Sequence, residues 1–279
     1  MRVGVGLPSA VPGTPGRLLP TWAERAERAG FASLGVLERI AYDSHDPFAS
    51  LAAAAACTAN VGLVTMVAIG PLRPAALLAK QAASVHEISG GRLVLGLSIG
   101  ARREDYAATG SESRGRGARL SDQLLELRPI WEAGLGVPGR PGRGPKVLSG
   151  GLSGQAFARM SRWADGYVHG GGPPRAFAGA AARVWAAWTD VGRPGRPEMW
   201  GQGYFALGPG ADERGAGYLR DYYAFTGPFA EKIAAANLTS PQAVKDFVRG
   251  YQDAGCDELV LLPTVADLEQ VDRLAEVLA

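Results

Sequence analysis

The segment VGLVTMVAI, residues 61–69, is apolar at almost every position, with one glycine and one threonine inside the run. A strand with one face in water alternates apolar and polar residues, whereas a parallel strand covered by helices on both faces is apolar throughout. The segment therefore predicts a buried parallel strand. Because parallel strands need crossover connections that are usually helical, it also predicts helices on either side of it in the chain.

Strands and helices alternate outward from this segment to both ends of the chain. The predicted strands are 2–8, 32–38, 61–69, 92–100, 146–150, 165–170, 198–208 and 257–263. Eight such units are the number in a (β/α)8 TIM barrel, an α/β fold, and we expect one domain over residues 1–279. A doubly wound open sheet is the alternative. The loop GVPGRPGRGP (136–145) could divide two domains, but neither side would close a barrel alone.

Composition excludes several classes of protein. The formal net charge is +2, and no basic run with interleaved aromatic residues indicates a nucleic-acid surface. No apolar stretch reaches the length of a membrane span, and the first residues lack the apolar core of a signal peptide, so we expect a cytoplasmic protein. Two cysteines, Cys57 and Cys256, cannot form a zinc site alone, and no histidine or carboxylate spacing indicates a metal.

A glycine-rich turn follows the fifth strand in KVLSGGLSGQAFARM, where Gly150, Gly151 and Ser153 precede a helix. Glycines let main-chain N–H groups approach a ligand closely, and a helix N-terminus carries about half a positive charge. The turn is thus a candidate anion site. An ordinary strand-to-helix turn with a serine cap is the alternative.

Three segments resemble the luciferase-like oxidoreductases, the bacterial-luciferase superfamily. They are GGRLVLGLSIGARREDYAATG (90–110), VLSGGLSGQAFARMSRWADGYV (147–168) and SPQAVKDFVRGYQDAGCDELVLL (240–262). The resemblance covers nearly the whole chain. It implies a (β/α)8 barrel whose insertions are reduced, since the chain is short for the family. It also implies reduced FMN or the deazaflavin F420 as cofactor.

The activity that this resemblance implies is that of a flavin-dependent oxidoreductase. We expect a monooxygenase that oxidises a small organic substrate with reduced FMN and oxygen, with a separate flavin or F420 reductase as partner. F420-dependent hydride transfer is one alternative, and a non-catalytic flavin-binding barrel is another. The resemblance also implies a homodimer formed through the helices at 49–59 and 75–88.

The carboxyl ends of the strands hold the site of a barrel enzyme. There the resemblance implies cofactor contacts by Leu7, Met66, Val67, Ala68, Ser98, Gly100, Tyr106, Ser149, Gly150, Gly151, Ser153, His169 and Gly170, with the phosphate at Gly150, Gly151 and Ser153. Glu38 and His45 are the candidate catalytic acid/base residues. Both can equally be loop side chains without a catalytic role, and Tyr106 can equally be an apolar plug.

The fourth predicted strand differs from that of luciferase at two positions. Ser98 stands where luciferase has a reactive cysteine, and Ile99 stands where it has a phosphate-binding arginine, which argues against light emission. Arg102, Arg103 or Arg119 could replace that arginine. The resemblance also implies a cis peptide bond that does not involve proline, at Met66–Val67 or the next bond along the chain.

Overall fold

The structure, a computed structural model, describes residues 1–134 and 144–279, so the loop 136–145 lies outside the described residues except for Gly144 and Pro145. Its strands are β1 Arg2–Gly6, β2 Ser33–Val36, β3 Gly62–Thr65, β4 Ala68–Ile69, β5 Leu93–Ser98, β6 Lys146–Gly150, β7 Gly166–Val168, β8 Glu198–Phe205 and β9 Glu258–Pro263. The segment 61–69 thus forms two short strands. Met66 and Val67 separate them, and the peptide bond between these residues is cis, as predicted.

All strand pairs are parallel, and they follow the order β3-β2-β1-β9-β8-β7-β6-β5-β4. A further pairing of β3 with β5, where Leu63 lies opposite Leu93, joins the two ends of the sheet. With β3 and β4 counted as one interrupted strand, the result is a closed eight-stranded barrel. The predicted (β/α)8 fold is confirmed, and the open sheet is excluded.

Helices cover the outside of the barrel. They are α1 Leu18–Arg28, α2 Pro47–Cys57, α3 Ala75–Ile88, α4 Arg103–Ala108, α5 Arg116–Glu132, α6 Gly154–Trp163, α7 Pro174–Asp190, α8 Ala211–Tyr222, α9 Phe229–Ala235, α10 Pro241–Asp253 and α11 Glu269–Leu278. Two single 3-10 turns, Gly70–Leu72 and Ala224–Thr226, lie at the carboxyl side of β4 and α8. Within the described ranges, no helix is long and apolar enough to cross a membrane.

Two apolar layers follow from the alternation of side chains along each strand. In β6, Val147 belongs to the layer between sheet and helices, whereas Leu148 belongs to a second cluster with Val168 and Trp200 inside the barrel. The same alternation directs Ser149 toward the helices and Gly150 toward the barrel interior. Inward positions at the carboxyl ends of the strands are therefore well placed to face a ligand at the barrel mouth.

The small residues of α2 and α3 pack mainly on this barrel itself. Ala54 and Ala82 are fully buried in the layer between sheet and helices. The same helices contact each other. On α3, Leu77 and Ile88 remain exposed, at 49% and 55%. The homodimer stays a prediction.

Replacement of Gly166 by alanine tests the tight strand pairing. A Cβ at Gly166 would lie 2.7 Å from the main-chain nitrogen of Glu198 and would force β7 and β8 apart. We expect Gly166→Ala to lower the free energy of unfolding by about 1–3 kcal/mol, measured by urea denaturation. Gly179→Ala is the matched control, because Gly179 lies on α7 with open space around it and alanine favours helices. Equal stability of the two variants would contradict the predicted strand contact.

Candidate functional site

A cavity of about 510 Å³ opens at the carboxyl ends of the strands. Its walls come from the ends of β2 and β5 to β8, from the β3–β4 junction, and from the end of α8. The lining residues are Leu37, Glu38, Met66, Val67, Ile69, Ser98, Ile99, Gly100, Ala101, Arg102, Arg116, Gly150, Gly151, Leu152, Tyr167, Val168, His169, Gly170, Gly171, Gln202, Tyr222, Tyr223 and Phe225. We call this space the mouth cavity.

The floor of the mouth cavity contains the cis peptide bond of Met66 and Val67. Just before it, the Thr65 hydroxyl donates to the carbonyl of Gly96 at 2.7 Å and accepts from the Gly96 N–H at 2.9 Å. A Cβ at Gly96 would overlap the main-chain oxygen of Thr65. The glycine therefore permits the close approach that fixes the strand interruption under the cavity.

Next to the mouth cavity lies a second space of about 530 Å³, between the N-termini of α5 and α6. We call it the anion cleft. Gly150, Gly151 and Arg116 line both spaces, so the two adjoin each other. Ser153 lines the anion cleft and caps α6, since its hydroxyl oxygen accepts from the Ala156 N–H at 3.2 Å. The hydroxyl proton of Ser153 remains available for an anion.

Arg159 brings a buried positive charge to the anion cleft. Its Nε donates to the Ser121 hydroxyl at 3.0 Å and its Nη2 donates to the Gly117 carbonyl at 2.9 Å. Within the described residues no carboxylate pairs with it, and burial lowers the pKa of its guanidinium. A buried cation without a counter-ion, beside two helix N-termini, is a strong indication of an anion site.

The turn at Gly151 is anchored from β7. The Tyr167 hydroxyl donates to the Gly151 carbonyl at 3.1 Å, and His169 Nδ1 lies 3.2 Å from the same hydroxyl. The His169 ring packs edge-on against Phe177 on the helix side of the barrel. Burial lowers the pKa of His169, and its Nε2 is buried without a hydrogen-bond partner. We therefore expect a neutral imidazole near pH 7.

Glu38 lines the mouth cavity, but both of its carboxylate oxygens are already bound. Oε2 accepts from the Ile69 N–H at 2.5 Å and from Arg73 Nη1 at 3.0 Å, and Oε1 accepts from Arg73 Nη2. Burial raises the pKa of Glu38, and the Arg73 guanidinium opposes that shift. These contacts give Glu38 a positioning role beside the strand interruption. A role in proton transfer stays a prediction.

The structure does not bring His45 to the mouth cavity. Its Nε2 lies 2.8 Å from the carbonyl of Thr14, so the ring is held in the loop before α2. The prediction that His45 is a catalytic acid/base is corrected here. Its ring joins two loops to each other and does not line the mouth cavity.

Four predicted cofactor contacts also lie outside the lining of both the mouth cavity and the anion cleft. Leu7 and Ala68 are buried in the layer between sheet and helices. Ser149 points away from the cavity by strand alternation, and its hydroxyl is buried without a partner. Tyr106 packs on Ile69 and donates its hydroxyl to the Ile99 carbonyl at 2.5 Å, so it is a plug. A position near a strand end is thus not enough to place a side chain in the cavity, because the side chain must also point inward.

The remaining predicted residues do come together. Glu38, Met66, Val67, Ser98, Gly100, Gly150, Gly151, His169 and Gly170 line the mouth cavity, and Ser153 lines the anion cleft. Among the three candidate arginines, Arg102 faces the mouth cavity. Arg103 is exposed and lines neither space, and Arg119 is bound to the carbonyls of Glu112 and Arg114.

Sequence reasoning missed the aromatic wall of the mouth cavity. Tyr222 at the end of α8, then Tyr223 and Phe225 just after it, line the same cavity as Gly150 and His169. The sequence did contain a signal for this wall, since five aromatic residues occur within YLRDYYAFTGPF (218–229) in a chain that is only 8% aromatic. Arg116, Arg159 and Gln202 were missed as well. Within the described ranges, no group of three or more metal-binding side chains occurs.

Comparison with known proteins gives one family and several similar chains. The luciferase-like monooxygenase family matches residues 1–254. An uncharacterized protein of Mycobacterium tuberculosis is 29% identical over 206 residues, which are 61% of this chain and 71% of that protein. The pyrimidine monooxygenase RutA of Stutzerimonas stutzeri is 30% identical over 169 residues, which are 53% of this chain and 47% of RutA. This chain thus matches about half of the length of RutA.

Solved structures share the fold at low sequence identity. An F420-dependent secondary alcohol dehydrogenase, solved with an F420–acetone adduct, has a TM-score of 0.83 and 15% identity, with 99% of this chain and 98% of that chain covered. The EDTA monooxygenase EmoA of Chelativorans sp. BNC1 has a TM-score of 0.76 and 17% identity, with 100% and 93% covered. These likenesses show the barrel architecture.

Removal of Arg73 tests the positioning role of Glu38. Arg73→Met leaves a buried carboxylate without its partner, so we expect the free energy of unfolding to fall by about 3–5 kcal/mol near neutral pH. The raised folded-state pKa of Glu38 means that its contribution to stability is complete below the unfolded value of 4.5 and is lost as the pH rises through the folded value. The Arg73 guanidinium lowers the pKa of Glu38, so its removal raises that pKa further and the variant loses more stability than the wild type as the pH rises. The deficit of Arg73→Met should therefore grow from acidic to neutral pH in denaturant titrations.

The double variant Glu38→Gln with Arg73→Met is the control for that experiment. Glutamine has no charge to bury, so the double variant should be more stable than Arg73→Met alone and should lose the pH dependence of the deficit. A deficit that stays constant with pH in Arg73→Met would contradict the assignment.

Proposed function

This chain belongs to the luciferase-like monooxygenase family, and on that premise we propose that it is an oxidoreductase that oxidises a small organic substrate with reduced FMN and oxygen. The observation that carries the proposal is that the mouth cavity and the anion cleft adjoin and share lining residues. A planar ring system with a phosphate at the end of a side chain needs this combination of spaces.

The anion cleft has the donors that a phosphate monoester requires. The N-terminus of α6 supplies main-chain N–H groups, Ser153 supplies a hydroxyl, and Arg159 and Arg116 supply positive charge. Gly151 has a φ of +133°, and a Cβ there would lie 2.6 Å from the Cβ of Ala156. Glycine is thus required by the turn itself, so replacement of Gly151 would disturb the fold as well as the ligand.

The mouth cavity has the features expected around a flavin ring. Apolar groups of Leu37 and Val67 are available to contact a flat ring, and Gln202 presents a buried amide oxygen without a partner. Gly170 has open space where a side chain would be. These residues fit an isoalloxazine ring with polar edges and an apolar centre.

The reduced flavin, when bound, supplies the two electrons with which oxygen is activated. The chain contributes binding, orientation and exclusion of water. With FMN bound, the anion cleft would hold the phosphate, and the main chain at Met66 and Val67 together with the aromatic wall would contact the ring. A separate reductase would deliver reduced FMN to this chain.

F420-dependent hydride transfer is the second candidate, and one observation favours it. The anion cleft continues into a groove of about 320 Å³ along α5 and α6, which Arg159, Arg162 and Trp163 help to line. Beyond its phosphate, F420 carries a longer tail with several carboxylates. A basic groove beyond the phosphate position suits that tail, whereas FMN has no group beyond its phosphate that would occupy the groove.

Binding titrations with FMN and F420, each oxidised and reduced, test the proposed function. Tighter binding of FMN, followed by oxygen-dependent oxidation of an added substrate, supports the proposal. Tighter binding of F420 favours hydride transfer. Binding of FMN with no oxidation of any substrate in a broad panel favours the non-catalytic flavin-binding barrel and contradicts the proposed activity.

Removal of the Ser153 hydroxyl tests the anion cleft. Ser153→Ala should weaken FMN binding about tenfold, because it removes a hydrogen bond to a charged group, and this is measured by fluorescence titration. Ser240→Ala is a matched control, since Ser240 caps α10 by the same 3.2 Å contact to the N–H three residues on. Each variant should lose about 1 kcal/mol of stability with its cap. Equal FMN affinity in both variants would remove Ser153 from the site.

Arg162→Met distinguishes the two cofactors. Arg162 is exposed and lines the groove beyond the anion cleft without lining the cleft itself. Its removal should leave FMN affinity unchanged and should weaken F420 binding by a few-fold, because exposed charge pairs contribute about 0.2–1 kcal/mol. The comparison should be made at low and high salt, since screening would erase the difference. Identical F420 binding at low salt would exclude the groove as a tail site.

A further inference from the structure

Arg102 is a buried cation in the wall of the mouth cavity. It precedes α4 directly after β5, and only 8% of it is exposed. Its guanidinium carbon lies over the rings of both Tyr222 and Phe225, 4.3 Å from each ring centroid. Two cation–π contacts thus restrain the guanidinium.

No carboxylate pairs with Arg102 among the described residues. Its Nη2 donates to the Tyr222 carbonyl at 2.7 Å, and its Nε is buried without a hydrogen-bond partner. The other buried arginine nearby is paired, because Arg39 contacts Asp105 at 3.0 Å and Glu104 at 3.2 Å. Arg102 is therefore a desolvated donor whose charge the protein itself leaves uncompensated.

The position of Arg102 separates it from the anion cleft. That cleft is bounded by the N-termini of α5 and α6, and Arg102 does not line it. Its guanidinium contacts Tyr223 as well as Tyr222 and Phe225, on the aromatic wall of the mouth cavity. A cofactor whose phosphate lies in the anion cleft would thus leave Arg102 free for a second ligand.

We propose that Arg102 receives the carboxylate of the substrate, so that the substrate is a small carboxylic acid with an aromatic or apolar body. This inference rests on the proposed function, because the bound acid is a substrate only if the chain is an oxidoreductase. The planar guanidinium presents donors in a fork that matches a carboxylate, and the aromatic contacts reduce the conformational freedom that binding would otherwise cost. The rings of Tyr223 and Phe225 offer apolar surface for the body of the molecule.

Nearby negative charges do not compete for this position. Asp105 and Glu104 are held by Arg39, and Asp221 accepts a hydrogen bond from the Tyr42 hydroxyl at 2.5 Å. An incoming carboxylate therefore meets one cation whose partners are aromatic rings and a carbonyl.

The test compares charged and neutral probes of one shape. Benzoate, phenylacetate and 4-phenylbutyrate, and the corresponding amides, are titrated calorimetrically into the whole chain with and without FMN. The wild type should bind at least one acid more tightly than its amide by about tenfold to a hundredfold. Arg102→Met should abolish this preference, and Arg102→Lys should keep part of it. Arg103→Met, the exposed neighbour, should behave as the wild type.

Several outcomes would overturn the assignment. The first is failure of all three acids to bind, and the second is equal affinity of acid and amide in the wild type. The third is an equal loss of affinity for acid and amide in Arg102→Met. The last result would mean that Arg102 only braces the aromatic wall. Thermal unfolding and FMN affinity of each variant check that the fold persists, and Arg102→Lys keeps the test decisive if Arg102→Met does not fold.

The failure of the proposed function would look different. In that case FMN and oxygen chemistry would be absent while the carboxylate preference persisted. Conversely, intact FMN binding with no carboxylate preference would overturn the role of Arg102 alone.

Discussion

The two hydrogen bonds between the Thr65 hydroxyl and the main chain of Gly96 hold the point where the barrel closes. Here β3 pairs with β5 to join the two ends of the sheet, and the chain then breaks its pairing for two residues before β4 resumes it. The same interruption forms the floor of the mouth cavity. Barrel closure and site formation thus depend on one close approach, which is possible because Gly96 has no side chain.

The buried charged side chains fall into two groups, those that are paired within the fold and those that have no carboxylate partner. Arg73 neutralises Glu38 and Arg39 neutralises Asp105, so these pairs fix the loops after β2 and β5 and offer no charge to a ligand. Arg159 and Arg102 are equally buried but have no carboxylate among the described residues. A folded protein keeps a desolvated, uncompensated cation at a cost, and both cations line cavities at the barrel mouth. Arg159 and Arg102 are therefore the two separate positions at which we propose that anionic groups bind.

Side-chain direction explains most of the difference between the expected and the observed site. Gly150 and Ser98 face the mouth because they stand at inward positions of their strands, while Ser149 faces the helices. Side chains alternate with a period of two along a strand, so the sequence of β6 already distinguishes Ser149 from Gly150. No local pattern could show that His45 binds the carbonyl of Thr14, since that contact joins two loops whose relative placement the barrel determines.

By itself, the sequence predicted the alternation of strands and helices, the barrel fold and the glycine-rich turn at Gly150, because each depends on local periodicity or on a contiguous motif. The cis peptide bond was implied only by the family resemblance, and the structure confirms it. The tertiary structure decided which charges are paired and which remain free. Arg102 meets Tyr222 across 120 residues of chain, and Arg159 reaches Gly117 across 42. Such contacts arise only when the barrel brings distant strand ends to one face, so charge compensation at the site is a property of the closed fold.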